Sequence, residues 1–544
     1  MLLASAVLLA ASAAHAEEPW SDPDPPAPPE RHVIGDFGFA GGLEYRAQGT
    51  AINPISVNTI SDRRAAWLEH RLRLDGIVDF DQKVRLVTSF DVLDGVLWGD
   101  NGTTGIDPQP DAGTNINARN PNTAVRCIQY KGGETGDPLS ATYYGFGLCD
   151  GQILKVRRMY GEVLTPVGLL RVGRQAQNIG NTVQGASGDG RANRWGIAGA
   201  GNFVDRVAFG TKPLEAFKEK DARDLSLDKG LFVAVAYDYL VNDEIKLFGD
   251  DVQQIAATAF YKTPDWVGGE NLEIQGYWAH RWDDQYASYV NTFGGRIINR
   301  FGPVLLGIEG AGNTGGTTEI AEAYRTITND PPSDQEILQF GGRVVARLES
   351  DIISGHLEFD YASGDGDPTP RTVLSGFVWA PDSNVGLLMF EHVMQFQSAR
   401  AAAAAVEVLR RLNAPSFPVD TIDTRGSFTN AVAFFPQVDF TPHEDVLIRG
   451  GVLMAWAPEK VVDPVQSLLN KDGAILDDDL RNFAGGAPGQ YYGTEIDLRG
   501  RWRFVDHFAL DLEGAILFPG DAFEDVNGAA ARSVLVQGRT TFFF

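Results

Sequence analysis

The stretch GTEIDLRGRWRFVDHFALDLEGAILFPGDAF, Gly493 to Phe523, alternates charged and apolar residues at almost every step. Ile496, Leu498, Gly500, Trp502 and Phe504 fall on one side, and Glu495, Asp497, Arg499, Arg501 and Arg503 on the other. A period of two belongs to a strand, whose successive side chains point to opposite faces. Val505, Asp506 and His507 make a short turn. Phe508, Leu510, Leu512, Gly514, Ile516 and Phe518 then face one way, and Ala509, Asp511, Glu513 and Ala515 the other. The pattern predicts an antiparallel hairpin. Soluble sandwiches alternate in the same way, but each arm here runs about ten residues, which suits a tilted strand crossing a bilayer better than the soluble average of about five or six. In such a barrel the apolar face meets lipid and the charged face lines a wet lumen.

The ends of the chain agree. MLLASAVLLAASAAHA holds an apolar run too short to span a membrane and then Ala14-His15-Ala16, so Met1–Ala16 reads as a secretory signal, though no Lys or Arg precedes the run. Glu17–Ile34 begins EEPWSDPDPPAPPE, a stiff, acidic periplasmic linker, and the barrel is expected over Gly35–Phe544. SVLVQGRTTFFF places Val534, Val536, Phe542 and Phe544 on one face and Gln537, Arg539 and Thr541 on the other. A strand stopping on an aromatic residue suits a closing barrel strand at the membrane interface. It resembles the C-terminal signal read by the barrel-assembly machinery of Gram-negative outer membranes. Outer-membrane lipid and lipopolysaccharide are then the expected surroundings.

Composition fits. A mean hydropathy of -0.16 does not exclude a barrel, whose strands are only moderately apolar. A formal charge of -26 argues against nucleic acid as a partner. Sixty-one glycines suit many strands and turns. Cys127 and Cys149 bracket a polar, Gly-rich stretch; in an exported protein they are expected to form one disulfide, and a metal reading has no neighbouring ligand to support it.

Further strands follow the same rule. Arg71, Arg73, Asp75 and Asp79 alternate with Leu72, Leu74, Val78 and Phe80, and Arg85, Ser89 and Asp91 return out of phase with Leu86, Phe90 and Val92. Arg343, Arg347 and Glu349 alternate with Val344, Ala346 and Leu348, and His356, Glu358 and Asp360 with Leu357, Phe359 and Tyr361. The fold class is therefore all-β, an antiparallel transmembrane β-barrel of about 16–18 strands. Long extracellular loops are expected near Gly99–Gly151, Ile179–Asn202, Gly312–Gln335 and Gly364–Ser427. The last contains EHVMQFQSARAAAAAVEVLRRLN, Glu391–Asn413, whose composition favours helix; it would plug the lumen, cap the mouth, or lie on the surface without function.

GTEIDL and FPGDAF resemble the closing hairpins of the alginate-export family of outer-membrane barrels. EFDYASGDGDP, Glu358–Pro368, looks like that family's strand running into a Gly-Asp loop, and MYGEVLTPVGLLRVGRQ, Met159–Gln175, resembles general porins and this family alike. The resemblance implies one barrel of about eighteen strands, a conduit for polysaccharide or small polar solutes. After Gln175, by the same likeness, Asp189, Arg191 and Arg194 would charge a constriction loop folded inward; the plain alternative is an exposed Gly-rich loop.

An exporter of polyanions is expected to carry a net basic lumen. The inward residues are mixed, with Arg499, Arg501 and Arg503 facing Asp511 and Glu513, and this favours a general pore for polar or charged small solutes over an anionic-polysaccharide conduit. Opposed acid and base would orient polar solutes in the constriction; the bland alternative is that the pairs only knit the wall. A plugged structural or adhesin barrel is a third reading. Enzymatic motifs are lacking: there is no H-E-x-x-H, and GASGDG around Ser187 does not match G-x-S-x-G. No cofactor is expected, except that Asp360, Asp365 and Asp367 offer oxygen ligands for a loop Ca²⁺.

Overall fold

The computed structural model describes Trp20 and most of residues 30–99, 154–177, 183–185, 193–197, 203–242, 252–398, 424–460 and 489–544. The signal sequence, Cys127, Cys149, Asp189, Arg191 and the helix expected beyond residue 398 lie outside the described residues.

Eighteen strands follow one another around a single wall. They are β1 (Phe37–Asn53), β2 (Ala65–Phe80), β3 (Val84–Gly99), β4 (Leu154–Thr165), β5 (Gly168–Ala176) and β6 (Phe203–Thr211). Next come β7 (Gly230–Asn242), β8 (Gln253–Trp266), β9 (Gly269–Asp283), β10 (Ser288–Phe301), β11 (Val304–Thr317) and β12 (Gln335–Leu348). The last are β13 (Ile353–Ala362), β14 (Ala431–His443), β15 (Val446–Trp456), β16 (Tyr491–Val505), β17 (Phe508–Pro519) and β18 (Ser533–Phe543). Each is antiparallel to the next, and β18 returns to β1 with Phe543 opposite Glu44 and Val534 opposite Asn53. Closure leaves no unpaired edge, the condition a sheet must meet in lipid.

The alternation read from the sequence divides inside from outside. On β16, Ile496, Leu498, Trp502 and Phe504 are 46–62% exposed, whereas Glu495, Asp497 and Arg499 are at most 1% exposed. A soluble protein would bury the first set and solvate the second; here the apolar side chains face out around the whole cylinder, as lipid requires. Outward aromatics gather near both rims. Phe37, Phe80, Phe301 and Trp502 lie toward one end, and Tyr289, Tyr361 and Trp456 toward the other.

Turns at one end are mostly short, as at residues 81–83, 166–167, 302–303 and 444–445, and those at the other are mostly long, residues 284–287 excepted. The short-turn end is the periplasmic one by barrel convention, and Phe544 exchanges two 2.8 Å backbone hydrogen bonds with Leu43 on that side. Two connections depart from the sequence reading. Residues 457–490, between β15 and β16, make a further long connection on the external side. Residues 212–229 make a long one on the short-turn end, where the Lys212 ammonium donates to the carbonyls of Ser226 and Lys229 at 2.9 and 2.8 Å.

Candidate functional site

Every second side chain of each strand points to the inside of the barrel. Strand alternation delivers one inward side chain every second residue, so ion pairs form between neighbouring strands as the register dictates. Arg73 on β2 and Arg157 on β4 both reach Asp91 on β3, at 2.7 and 2.6 Å. Arg85 and Arg171 share Glu162 at 3.4 and 2.6 Å. Lys262 and Arg296 share Glu273 at 2.8 and 2.5 Å. Arg347 and Arg300 share Glu349, the first at 3.5 Å. Arg71 pairs with Glu44, Arg343 with Glu309 at 3.2 Å, and Arg206 with Asp238 at 2.6 Å. Asp91, Glu162, Glu273 and Glu349 are thus each held between two cations.

One arc of the wall is different. Asp511 and Glu513 on β17 take Arg499 and Arg501 of β16 and Arg539 of β18, at 2.8–3.3 Å. These arginines are buried, and residues 193–197 fold in across Arg499. The Arg499 guanidinium donates to the carbonyls of Asn193 and Arg194 at 2.7 and 2.6 Å, and Arg449 to the Arg194 carbonyl at 2.8 Å. Arg194 itself reaches Gln437 at 3.0 Å and Asp439 at 3.3 Å. Of the three residues expected to charge an inward loop, Arg194 alone is described, and it lies buried against the inner wall. Arg503 lies exposed at the short-turn end of β16. Further carboxyl groups line the same arc: Glu358 with His356 at 3.4 Å and Asp360 on β13, and Glu495 and Asp497 on β16.

A second segment folds in from the long connection between β13 and β14. Met389–Met394 forms one wide helical turn, continued by four α-helical residues, with Met389, Phe390, Val393 and Met394 buried. Of the three placements the composition left open for this helix, its described beginning takes the lumenal one. Glu495 of the wall caps it, accepting the N–H groups of Leu387, Leu388 and Met389 at 2.8, 2.9 and 2.6 Å. Four unsatisfied N–H groups and a positive dipole end make a helix start a natural partner for a carboxylate. Phe377, Trp379, Phe428 and Trp195 join the turn in one apolar cluster against inward Ala433, Phe435, Leu453 and Leu517. Glycines make room for it in the wall. A Cβ at Gly341 would lie 2.4 Å from the Phe377 ring, and one at Gly451 would lie 2.6 Å from the Phe435 ring and 3.0 Å from Trp195. A small cavity remains beside the turn, lined by Trp67, Glu69, Asn384, Glu391, His392 and Gln537.

The carboxylates considered for Ca²⁺ are not drawn to one point. Asp360 belongs to the inner face of β13. Asp365 accepts the N–H groups of Asp367 and Ser375 at 3.0 and 3.1 Å, and Asp367 accepts the Thr369 N–H and hydroxyl at 3.2 and 2.6 Å. Burial, with Asp367 and Glu459 nearby, pushes the Asp365 carboxyl up. Among the described residues, the one trio spaced as metal ligands is His443, Glu444 and Asp445, on the exposed turn after β14.

Sequence reasoning did not single out Arg157, Glu162, Glu273, Arg296, Asp439 or Arg449 as site residues. The same two-residue alternation, applied to every strand, would have found them. No local signal marks Trp195 or Trp379 as lumenal.

A closed antiparallel barrel with a lipid-facing apolar belt and an ion-paired interior is an outer-membrane barrel. The chain belongs to the alginate export family, whose pattern it matches over residues 253–537, just over half its length. No curated protein matches it. Among solved structures it is similar to OccAB1 of Acinetobacter baumannii, at 10% identity and TM-score 0.48 over 93% of this chain and 96% of that one. OccK2 (OpdF) of Pseudomonas aeruginosa aligns at 9% identity and TM-score 0.46, over 93% and 97%. The outer membrane channel DcaP of Acinetobacter baumannii aligns at 11% identity and TM-score 0.38, over 93% and 97%.

Proposed function

We propose that this protein is an outer-membrane channel for the passive passage of small polar or charged solutes, and that it does no covalent chemistry. The carrying observation is the wall itself, apolar outside and ringed inside by shared ion pairs such as Arg73–Asp91–Arg157. Fixed charges of both signs across a lumen replace part of a solute's hydration and make apolar solutes pay for desolvation. The passage needs no cofactor. Lipid and lipopolysaccharide surround the belt in this reading, and the assembly machinery engages the strand that ends at Phe544.

A second reading, a conduit for an anionic polysaccharide, is favoured by one specific feature: the carboxylates Asp91, Glu162 and Glu273 each hold two cations. Both readings are tested by reconstituting the protein in a planar bilayer and measuring single-channel conductance and reversal potential in a KCl gradient. Steady steps with anion preference support the basic lumen. Cation preference argues against the polyanion conduit. Absence of any current refutes the open channel.

A further inference from the structure

Arg174 of β5 and Asp205 of β6 stand directly opposite one another, and the guanidinium grips the carboxylate with two hydrogen bonds of 3.0 and 3.1 Å. Both point away from the lumen. Val172 and Val207, two residues off on the same faces, are exposed, whereas Arg171 and Arg206 make inward pairs with Glu162 and Asp238. The outward pair keeps 34% and 47% of its side chains exposed.

Its depth is unusual. Other open pairs, Lys83–Asp81, Lys229–Asp224 and His443–Asp445, sit at the short-turn end, within reach of water. Arg174 and Asp205 are each the seventh residue of their strand from that end, about 15 Å up a wall of tilted strands and inside an apolar belt about 25 Å tall. A charge on the lipid face costs most at mid-depth, and pairing does not reliably repay the desolvation of both ions. A surface other than hydrocarbon is the natural neighbour of this pair. The two strands are also the shortest of the wall, nine residues each against ten or more in the other sixteen. Nine tilted residues rise about 20 Å, so these strands alone fall short of the belt.

Charge complementarity identifies the occupant. Copies of one chain inserted the same way up are related by an axis along the membrane normal. A twofold axis of that kind turns the pair around and sets each Arg174 against Asp205 of the partner subunit, so that four charges alternate in sign. Such a contact is isologous. Met159 lies beside Arg174, Val172 and Val207 lie side by side next to the pair, and Tyr237 lies beside Val207; all four are exposed, and Met and Tyr are enriched where protein meets protein.

We propose that the outer face of β4–β7 is the contact between two copies of this chain, with Arg174 and Asp205 at its centre. The ion pair then faces its own kind instead of acyl chains, and the low stretch of wall is backed by a second one.

The test uses the full chain extracted from outer membranes in mild detergent, with its mass read by light scattering. The expected mass is that of a dimer. R174D and D205R each set like charges across the axis and should lower the dimer fraction roughly tenfold or more, while heat-modified gel mobility shows the barrel folded. Co-expression of R174D and D205R under different tags should restore dimers, all of them mixed, because two acids then face two arginines. Should either variant fail to fold, V172C with Cys127 and Cys149 replaced by Ser decides: oxidation in native membranes should cross-link two copies, and absence of the cross-link overturns the proposal. A monomeric or trimeric wild type overturns it, as does a dimer untouched by both substitutions. A wild-type monomer whose bound lipopolysaccharide is lost in R174D overturns it in favour of a lipid occupant. None of these readouts depends on conduction, so the outcome stands apart from the channel reading.

Discussion

The carboxylate of Glu495 lies 2.9 Å from the backbone nitrogen of Leu388, with the N–H groups on either side of Leu388 aimed at the same group. One wall residue thus holds the start of the lumenal helical turn. E495A removes three charge-assisted hydrogen bonds at a stroke, a loss of roughly 3 kcal/mol at this contact. The expected outcome is faster proteolysis near Gly386 and noisier open-channel current, with the barrel itself intact by heat-modified gel mobility.

Gly451 and Trp195 make a second test. G451V places side-chain atoms where the Phe435 ring and Trp195 now lie, and overpacking of this kind costs about 1–3 kcal/mol. The thermal transition should fall, and the residues 193–197 should become accessible to protease. G355A is the control, since a Cβ at Gly355 meets nothing within 4 Å.

Charge selectivity should separate two kinds of arginine. Arg171 and Arg347 keep 30% and 21% of their side chains exposed, whereas Arg499 keeps none. R171Q and R347Q should shift the reversal potential toward cations. R499Q should leave selectivity nearly unchanged and lower stability, because it strands Asp511 and Glu513 in a buried site.

Asp525, on the connection between β17 and β18, accepts the Thr59 N–H at 2.7 Å and the Thr59 hydroxyl at 2.5 Å. Burial works to raise its carboxyl, but the hydrogen bonds from Thr59, Asn527 and Ala529 outweigh it and hold the group below the usual range. A depressed carboxylate stabilises above its unfolded value of about 3.9 and loses that contribution as pH falls through the lower folded value. The protection factor of the Thr59 amide should therefore fall in acid below about pH 4, and D525N should lower it at neutral pH as well.

What the sequence made legible was what depends on neighbours two residues away. Ile496 outward and Arg499 inward follow from pleating alone, and so does the hairpin that joins β16 to β17. The pairing of Asp91 with Arg157 does not, because a connection of more than fifty residues separates β3 from β4 and only the register brings them together. The capped turn at Met389 was foreshadowed by composition near Glu391, but its depth was not, since helix propensity is indifferent to what the helix touches. Trp195 against Gly451 was illegible for a further reason: a glycine in a strand reads as a flaw until the ring that fills its place is known.

The seam between β1 and β18 sets an order on biogenesis. Glu44 meets Phe543 across nearly the whole chain, so the contact of greatest sequence separation is also the one that completes the cylinder, and contacts of that kind are slow to form. Until it forms, β1 offers a bare row of donors and acceptors along one flank, as attractive to a stranger's strand as to its own. The interval between synthesis and insertion is thus the hazardous part of this protein's life, and a chaperone shielding β1 would relieve it more than any stabilisation of the finished wall.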